Sequence, residues 1–119
     1  MKIIEKVLLI IGILIAIGIT YYSISGYFVK PNILDDFAKC LTSKDAVMYG
    51  AEWCGHCKEQ KEMFGESFKY VNYVECPNNP TLCEQKGITG YPTWIINGVH
   101  KEGAQSIEEL SSLTGCPLS

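Results

Sequence analysis

From Val7 to Val29 the chain runs 23 residues without a charge, 17 of them apolar. As a helix this run is about 34 Å long at ~1.5 Å per residue, enough to cross a hydrocarbon core about 30 Å thick. The sequence therefore divides into one apolar segment and a remainder that folds by itself. Lys2 and Lys6 precede the run, and Tyr21, Tyr22, Tyr27 and Phe28 gather at its far end, as aromatics do at a membrane interface. This pattern predicts a single-pass transmembrane anchor of the cell membrane over residues 1–29, in contact with lipid, with its N-terminus on the inner side. A short linker over 30–32 and a domain over 33–119 on the extracytoplasmic side follow. Lys30 and Lys39 weaken the charge bias. A cleaved leader is the competing reading: a basic start, an apolar stretch from Val7 to Ile19, then the small residues Ser23 and Ser25. Both readings export the domain. With the anchor retained, the short linker holds the folded part near the bilayer, which suits a membrane-embedded partner.

The 90 residues after the run include 36 apolar ones, enough for one small domain and too few for two. They carry 8 Lys against 12 Asp or Glu, and the chain has no arginine. Phosphate clamps and nucleic-acid grooves are thereby poor fits, so no nucleic-acid partner is expected. All six cysteines, Cys40, Cys54, Cys57, Cys76, Cys83 and Cys116, follow the apolar run. So dense a set in a short exported domain fits an oxidising compartment.

Ile33, Leu34, Phe37, Ala38 and Leu41 recur at helical spacing behind a candidate Asn32 cap, which predicts a helix to about Thr42. Ala46 to Gly50 has the length and character of a strand, followed at once by Cys54-Gly55-His56-Cys57 and a helix-favouring stretch from Lys58 to Met63. Tyr70 to Cys76 predicts a second strand, and Thr81 to Lys86 a short helix ended by Gly87. Thr93 to Ile96 and Val99 to Lys101 flank Asn97-Gly98, the dipeptide best suited to a two-residue hairpin. Ser106 and Glu109 form a capping box, Ile107, Leu110 and Leu113 give a buried stripe, and Gly115 ends the last helix. The order accommodates a four-stranded mixed sheet with helices on both faces, an α/β fold.

Cys54 falls at the start of a helix, where free backbone N–H groups and the dipole favour a thiolate, so it is expected to have a lowered pKa and to attack first. Cys57 lies one turn on along the same face, placed to close a disulfide with Cys54 or to resolve a mixed one. Gly55 is expected to permit the tight turn. His56 and Lys58 supply polarisable or positive neighbours that stabilise the thiolate and make the disulfide a better oxidant. The alternatives for these cysteines are a merely structural disulfide and a zinc site built with Cys76 and Cys83, whose spacing fits only the first half of a zinc ribbon.

Ala51-Glu52-Trp53-Cys54-Gly55-His56-Cys57-Lys58 looks like the active-site turn of the thioredoxin superfamily, and CGHC itself resembles the protein disulfide isomerase version. Tyr91-Pro92-Thr93, ahead of a strand, matches the superfamily's cis-proline loop, which implies a cis Tyr91–Pro92 bond and a substrate-binding role for Tyr91 and Pro92. Trp53 reads as the rim of that site, or else as a partly exposed core aromatic. A closer resemblance covers most of residues 37 to 115. It includes Phe37-Ala38-Lys39-Cys40-Leu41, Val47-Met48-Tyr49-Gly50-Ala51, Gln60-Lys61-Glu62-Met63-Phe64-Gly65, Tyr73-Val74-Glu75-Cys76, Gly90-Tyr91-Pro92-Thr93-Trp94 and 103–110. These are similar to the thioredoxin-like domain fused to bacterial homologues of vitamin K epoxide reductase, which implies electrons collected from exported thiols and passed through a membrane reductase to quinone.

Two departures from ordinary thioredoxins stand out. No first strand precedes Ile33, so the fold is expected to be trimmed at its N-terminus. Met48 takes the place of the superfamily's buried acid, six residues before Cys54, leaving water, Glu52 or a partner to remove the Cys57 proton. Cys76 and Cys83 resemble a second pair in the same fused domains. As a structural disulfide they would close a small loop worth about 2.5 kcal/mol in the loop-entropy model, with a redox relay as the alternative. Cys40 and Cys116 fall on the first and last helices, which superfamily architecture puts on opposite faces of the sheet. They can bond only if the tail folds back. Trp94, Tyr70 and Tyr73 read as core strand residues, and His100 as an exposed polar residue. The resemblance thus implies a membrane-anchored protein disulfide oxidoreductase acting on protein thiols and disulfides without a cofactor, with a separate membrane redox partner resembling vitamin K epoxide reductase homologues. The alternatives are a reductant or isomerase fed by a membrane electron donor, and a non-catalytic binding module that tolerates loss of Cys54.

Overall fold

The computed structural model describes residues 2–25 and 32–118 and divides into two compact units, Met1–Lys30 and Pro31–Ser119. In the first unit, helix α1 (Ile3–Ser25) is long and apolar enough over Ile3–Ser23 to cross a membrane, and its described side chains are exposed. It begins earlier than the uncharged run and takes in Glu5 and Lys6. Tyr27, Phe28, Val29 and the linker residues Lys30 and Pro31 lie outside the described residues.

The second unit starts with helix α2 (Ile33–Ser43). The Asn32 side chain caps it by accepting the Leu34 N–H at 3.2 Å, and Asp35 and Asp36 sit in its first turn, where the dipole favours acids. Strand β1 (Val47–Gly50) leads into helix α3 (Gly55–Phe64), which is followed directly by a 3₁₀ segment (Gly65–Tyr70). Strand β2 (Asn72–Glu75) therefore begins two residues later than the aromatic run suggests. Cys76 opens a second 3₁₀ turn ahead of the short helix α4 (Pro80–Gln85). Strands β3 (Thr93–Ile96) and β4 (Val99–Glu102) form the hairpin, with both Asn97 and Gly98 at positive φ, as a two-residue turn of this kind demands. Helix α5 (Ile107–Thr114) is capped by Ser106, whose hydroxyl accepts the Glu109 N–H at 3.1 Å, and ends at Gly115 in the left-handed region.

The sheet order is β2-β1-β3-β4. The β1–β2 pair is parallel and the other two pairs antiparallel, and among the described residues no strand precedes α2. This is the mixed, four-stranded α/β fold of the thioredoxin resemblance, with the expected departure that no strand precedes its first helix among the described residues. Alternation along the strands divides the core. Met48, Trp94 and Ile96 face the larger half with Phe37, Leu41, Phe64 and Leu110, so α2, α3 and α5 share one side of the sheet. Val47, Tyr49 and Ile95 face the smaller half with Cys76 and Cys83, beside α4.

That arrangement corrects the expectation that the first and last helices of the domain lie on opposite faces. Cys116 lies past the end of α5, and the left-handed Gly115 turns the tail back. The Ser111 hydroxyl holds it by donating to the Cys116 carbonyl at 2.5 Å. Cys40 and Cys116 are bonded, with an S–S distance of 2.14 Å and 5.9 Å between Cα atoms. A second disulfide joins Cys76 and Cys83, with an S–S distance of 2.10 Å. Both cysteines of that pair are committed to each other, which leaves no four-cysteine zinc set with Cys54 and Cys57.

Candidate active site

Strand β1 ends at Gly50, and the chain turns through Ala51, whose carbonyl accepts the Cys54 N–H at 3.1 Å. That turn sets Cys54 as the N-cap of α3. Its sulfur takes the position a capping oxygen usually holds, accepting the Cys57 N–H at 3.2 Å. Cys54 retains 8% exposure while Cys57, one turn below, has 0%, so only one sulfur of the pair can meet a substrate from solvent. Both are free thiols. Burial pushes the Cys57 thiol up to about 12. Its hydrogen bonding with Cys54 adds to the rise, while the Ala51 backbone and Lys61 pull the other way.

The loop ahead of β3 closes over the pair. The Tyr91–Pro92 bond is cis, as its resemblance to the superfamily loop implies, and the Tyr91 carbonyl accepts from the Cys54 thiol at 3.5 Å. Pro92 is buried. Its carbonyl accepts the Gly103 N–H at 2.7 Å, which ties the loop to the end of β4. Trp53 is 70% exposed and lies edge-on to the Tyr91 ring, 5.8 Å between centroids, so it forms an exposed rim beside Cys54 and is not a core aromatic.

Not every expected residue converges. The His56 ring turns outward, its Nδ1 3.2 Å from the Glu59 carboxylate one turn along the same helix. Gly55 has no positive φ, and a Cβ there would meet nothing within 4 Å, so the turn does not require glycine at that position. Gly50 is the glycine that close packing demands: a Cβ on it would stand 3.0 Å from Cys57 Sγ and 3.1 Å from the Tyr73 ring.

The place of three residues beside the cysteines escaped the sequence reading. Gln60 is fully buried on the Cys57 face of α3. Its side-chain oxygen accepts the Trp94 indole N–H at 2.9 Å and the Gln105 N–H at 2.6 Å, and its amide donates to the Gln105 carbonyl at 2.9 Å. A buried tryptophan needs such an acceptor, which was the available signal. Tyr73 and Glu75, spaced two apart on β2, present their side chains to the same side. The Tyr73 hydroxyl donates to one Glu75 oxygen at 2.5 Å, and the other accepts the Glu52 N–H at 2.7 Å. Burial, then the bond to Glu75, pushes the Tyr73 phenol upward.

A family model described as Thioredoxin matches residues 30–114. The chain belongs to the thioredoxin family. Among relatives of this thioredoxin-family chain is "Thiol-disulfide oxidoreductase LTO1" of Arabidopsis thaliana, 48% identical over 90 residues that cover 68% of the chain and 24% of that protein. "Protein disulfide isomerase-like 2-2" of Oryza sativa subsp. japonica is 35% identical over 79 residues, covering 55% of the chain and 21% of that protein. The thioredoxin-family chain thus spans no more than about a quarter of the length of either relative. The solution structure of oxidised thioredoxin from Plasmodium falciparum is 25% identical with a TM-score of 0.42, over 66% of this chain and 86% of that one.

Proposed function

We propose that this chain is a membrane-anchored thiol–disulfide oxidoreductase in which Cys54 exchanges with substrate and Cys57 resolves. The observation that carries this reading is the unequal pair: an accessible sulfur at a helix N-terminus and a buried one a single turn away. A substrate disulfide or thiol reaches Cys54, forms a mixed disulfide, and is released when Cys57 bonds to Cys54. Tyr91 and Pro92 beside that sulfur would hold the substrate chain, with Trp53 as its rim. His56, between the two cysteines, would tune the potential. Dithiol exchange needs only sulfur, so no cofactor enters the scheme.

Residues 1–29 would serve as the anchor, 30–32 as a linker and 33–119 as the extracytoplasmic domain. The apolar helix α1 supports a span, and two disulfides in so small a domain support an oxidising compartment. In this reading the domain oxidises exported protein thiols and hands the electrons to a separate quinone-linked membrane protein resembling vitamin K epoxide reductase homologues. Similarity to a relative named protein disulfide isomerase-like favours a second reading, in which the same pair reduces or isomerises disulfides.

The reduction potential of the Cys54–Cys57 pair in the full chain, equilibrated against glutathione in detergent, separates the two. A value around −180 mV or higher is expected for the oxidase, and one around −270 mV would favour the reductant. Full thiol-oxidase activity in a Cys54→Ala variant would overturn both.

A further inference from the structure

A buried thiol held up near 12 attacks only if something takes its proton, so the surroundings of Cys57 decide how it resolves a mixed disulfide. Met48, the fully buried neighbour on β1, offers no acceptor, and the Glu52 side chain is exposed to solvent. The carboxylate oriented toward this corner is Glu75. It is the last residue of β2, in register with Gly50, and is partly buried. It is held from two sides, by the Glu52 N–H on one oxygen and the Tyr73 hydroxyl on the other.

Tyr73, bonded to that carboxylate, lines the same corner as the sulfur. The position a Gly50 Cβ would occupy is 3.0 Å from Cys57 Sγ and 3.3 Å from the Tyr73 hydroxyl oxygen. Glycine at 50 thus leaves the corner shared by thiol and phenol free of a side chain. Lys61, one turn beyond Cys57, sets its ammonium 4.2 Å from the centre of the Tyr73 ring and brings a cation to the same corner.

We propose that Tyr73 and Glu75 form a proton relay for Cys57, with Glu75 as the acceptor and Tyr73 as the bridge. The relay rests on the Cys54–Cys57 reading given above. In the mixed disulfide the Cys57 sulfur bonds to Cys54 Sγ, the bond from Cys54 to the substrate sulfur breaks, and the substrate leaves as a thiolate with that electron pair. The Cys57 proton passes to the Tyr73 oxygen, directly or through one water, as the Tyr73 hydroxyl proton passes to the Glu75 carboxylate. In reverse, the relay returns a proton to Cys57 when a substrate thiolate opens the Cys54–Cys57 disulfide. The raised Tyr73 phenol stays protonated between events, which suits a bridge and not a base.

The test uses the full chain in detergent with both structural disulfides intact and Cys54 and Cys57 reduced. An aromatic disulfide that releases a coloured thiolate reports two steps, attack by Cys54 and then resolution by Cys57. Glu75→Gln keeps a side-chain oxygen for the Glu52 N–H, and Tyr73→Phe keeps the ring. Each is expected to slow the second step about tenfold or more near neutral pH. The first step, which needs no proton transfer from the Cys57 thiol, serves as the control for folding. The deficit should shrink as rising pH ionises the thiol unaided, and Glu75→Asp should recover part of the rate. Wild-type resolution in both variants at every pH, or a deficit that does not change with pH, would overturn the relay. If the unaltered chain releases the first thiolate and never the second, the Cys54–Cys57 reading itself fails and the relay falls with it.

Discussion

The Cys57 N–H donates to Cys54 Sγ across 3.2 Å, so the buried cysteine supports the accessible one through its backbone while its own sulfur stays out of reach of solvent. Alkylation of the reduced full chain near neutral pH should therefore modify Cys54 and spare Cys57. Peptide mapping by mass spectrometry checks this. Equal labelling of the two would contradict the unequal exposure on which the division of labour rests.

The raised Cys57 thiol also ties stability to pH. In the unfolded chain it ionises near its ordinary value of 9, and in the folded chain only near 12. Between those values the folded state holds a proton that the unfolded state has lost, so stability falls as pH rises through this window and is fully present below it. Denaturant midpoints of the reduced pair, with both disulfides intact, should drop more steeply from pH 9 to 12 than those of a Cys57→Ala variant.

The disulfide between Cys40 and Cys116 spans a sequence separation of 76, against 7 for the one between Cys76 and Cys83. The chain-entropy model assigns them about 4.5 and about 2.5 kcal/mol. Replacing both Cys40 and Cys116 by alanine should cost more stability than replacing Cys76 and Cys83. Urea unfolding of the two double variants gives the order, with Cys54 alkylation reporting whether the turn survives.

Buried Gln60 satisfies three partners at once, the Trp94 indole N–H and both backbone groups of Gln105. Gln60→Leu removes all three bonds while keeping apolar bulk, so a loss on the order of 3 kcal/mol is expected. Gln60→Glu should restore the two N–H contacts and lose the one to the Gln105 carbonyl, giving an intermediate loss. A Gln60→Leu variant as stable as the unaltered chain would contradict this account.

Where local chemistry decides structure, the sequence was legible. The Asn32 and Ser106 caps, the Asn97-Gly98 hairpin and the Gly115 stop each act within a few residues, and each element they bound lies where spacing suggests. The turn carrying Cys54 and Cys57 was legible too, because strand, turn and helix follow one another without interruption. The rest depends on contacts between distant segments. Tyr70 reads as strand because it is aromatic, yet Gly65 turns α3 into a 3₁₀ segment that absorbs it. Gln60 lies in a stretch that reads only as helix-favouring, and its partner, the Trp94 indole, is 34 residues away. Cys40 and Cys116 meet because α2 and α5 share a face of the sheet, which no spacing along the chain reveals.

The bond between Cys40 and Cys116 makes every strand among the described residues, the CGHC turn and the cis-proline loop parts of a single closed ring, with the smaller ring of Cys76 and Cys83 set within it. Helix α1 precedes that ring in the chain. A peptide bond cut at any one place between residues 40 and 116 therefore leaves one covalent molecule, and removal of the N-terminal segment leaves the ring unbroken. In a compartment where stray proteases act, Cys54 and Cys57 sit in the portion of the chain that a single nick cannot release.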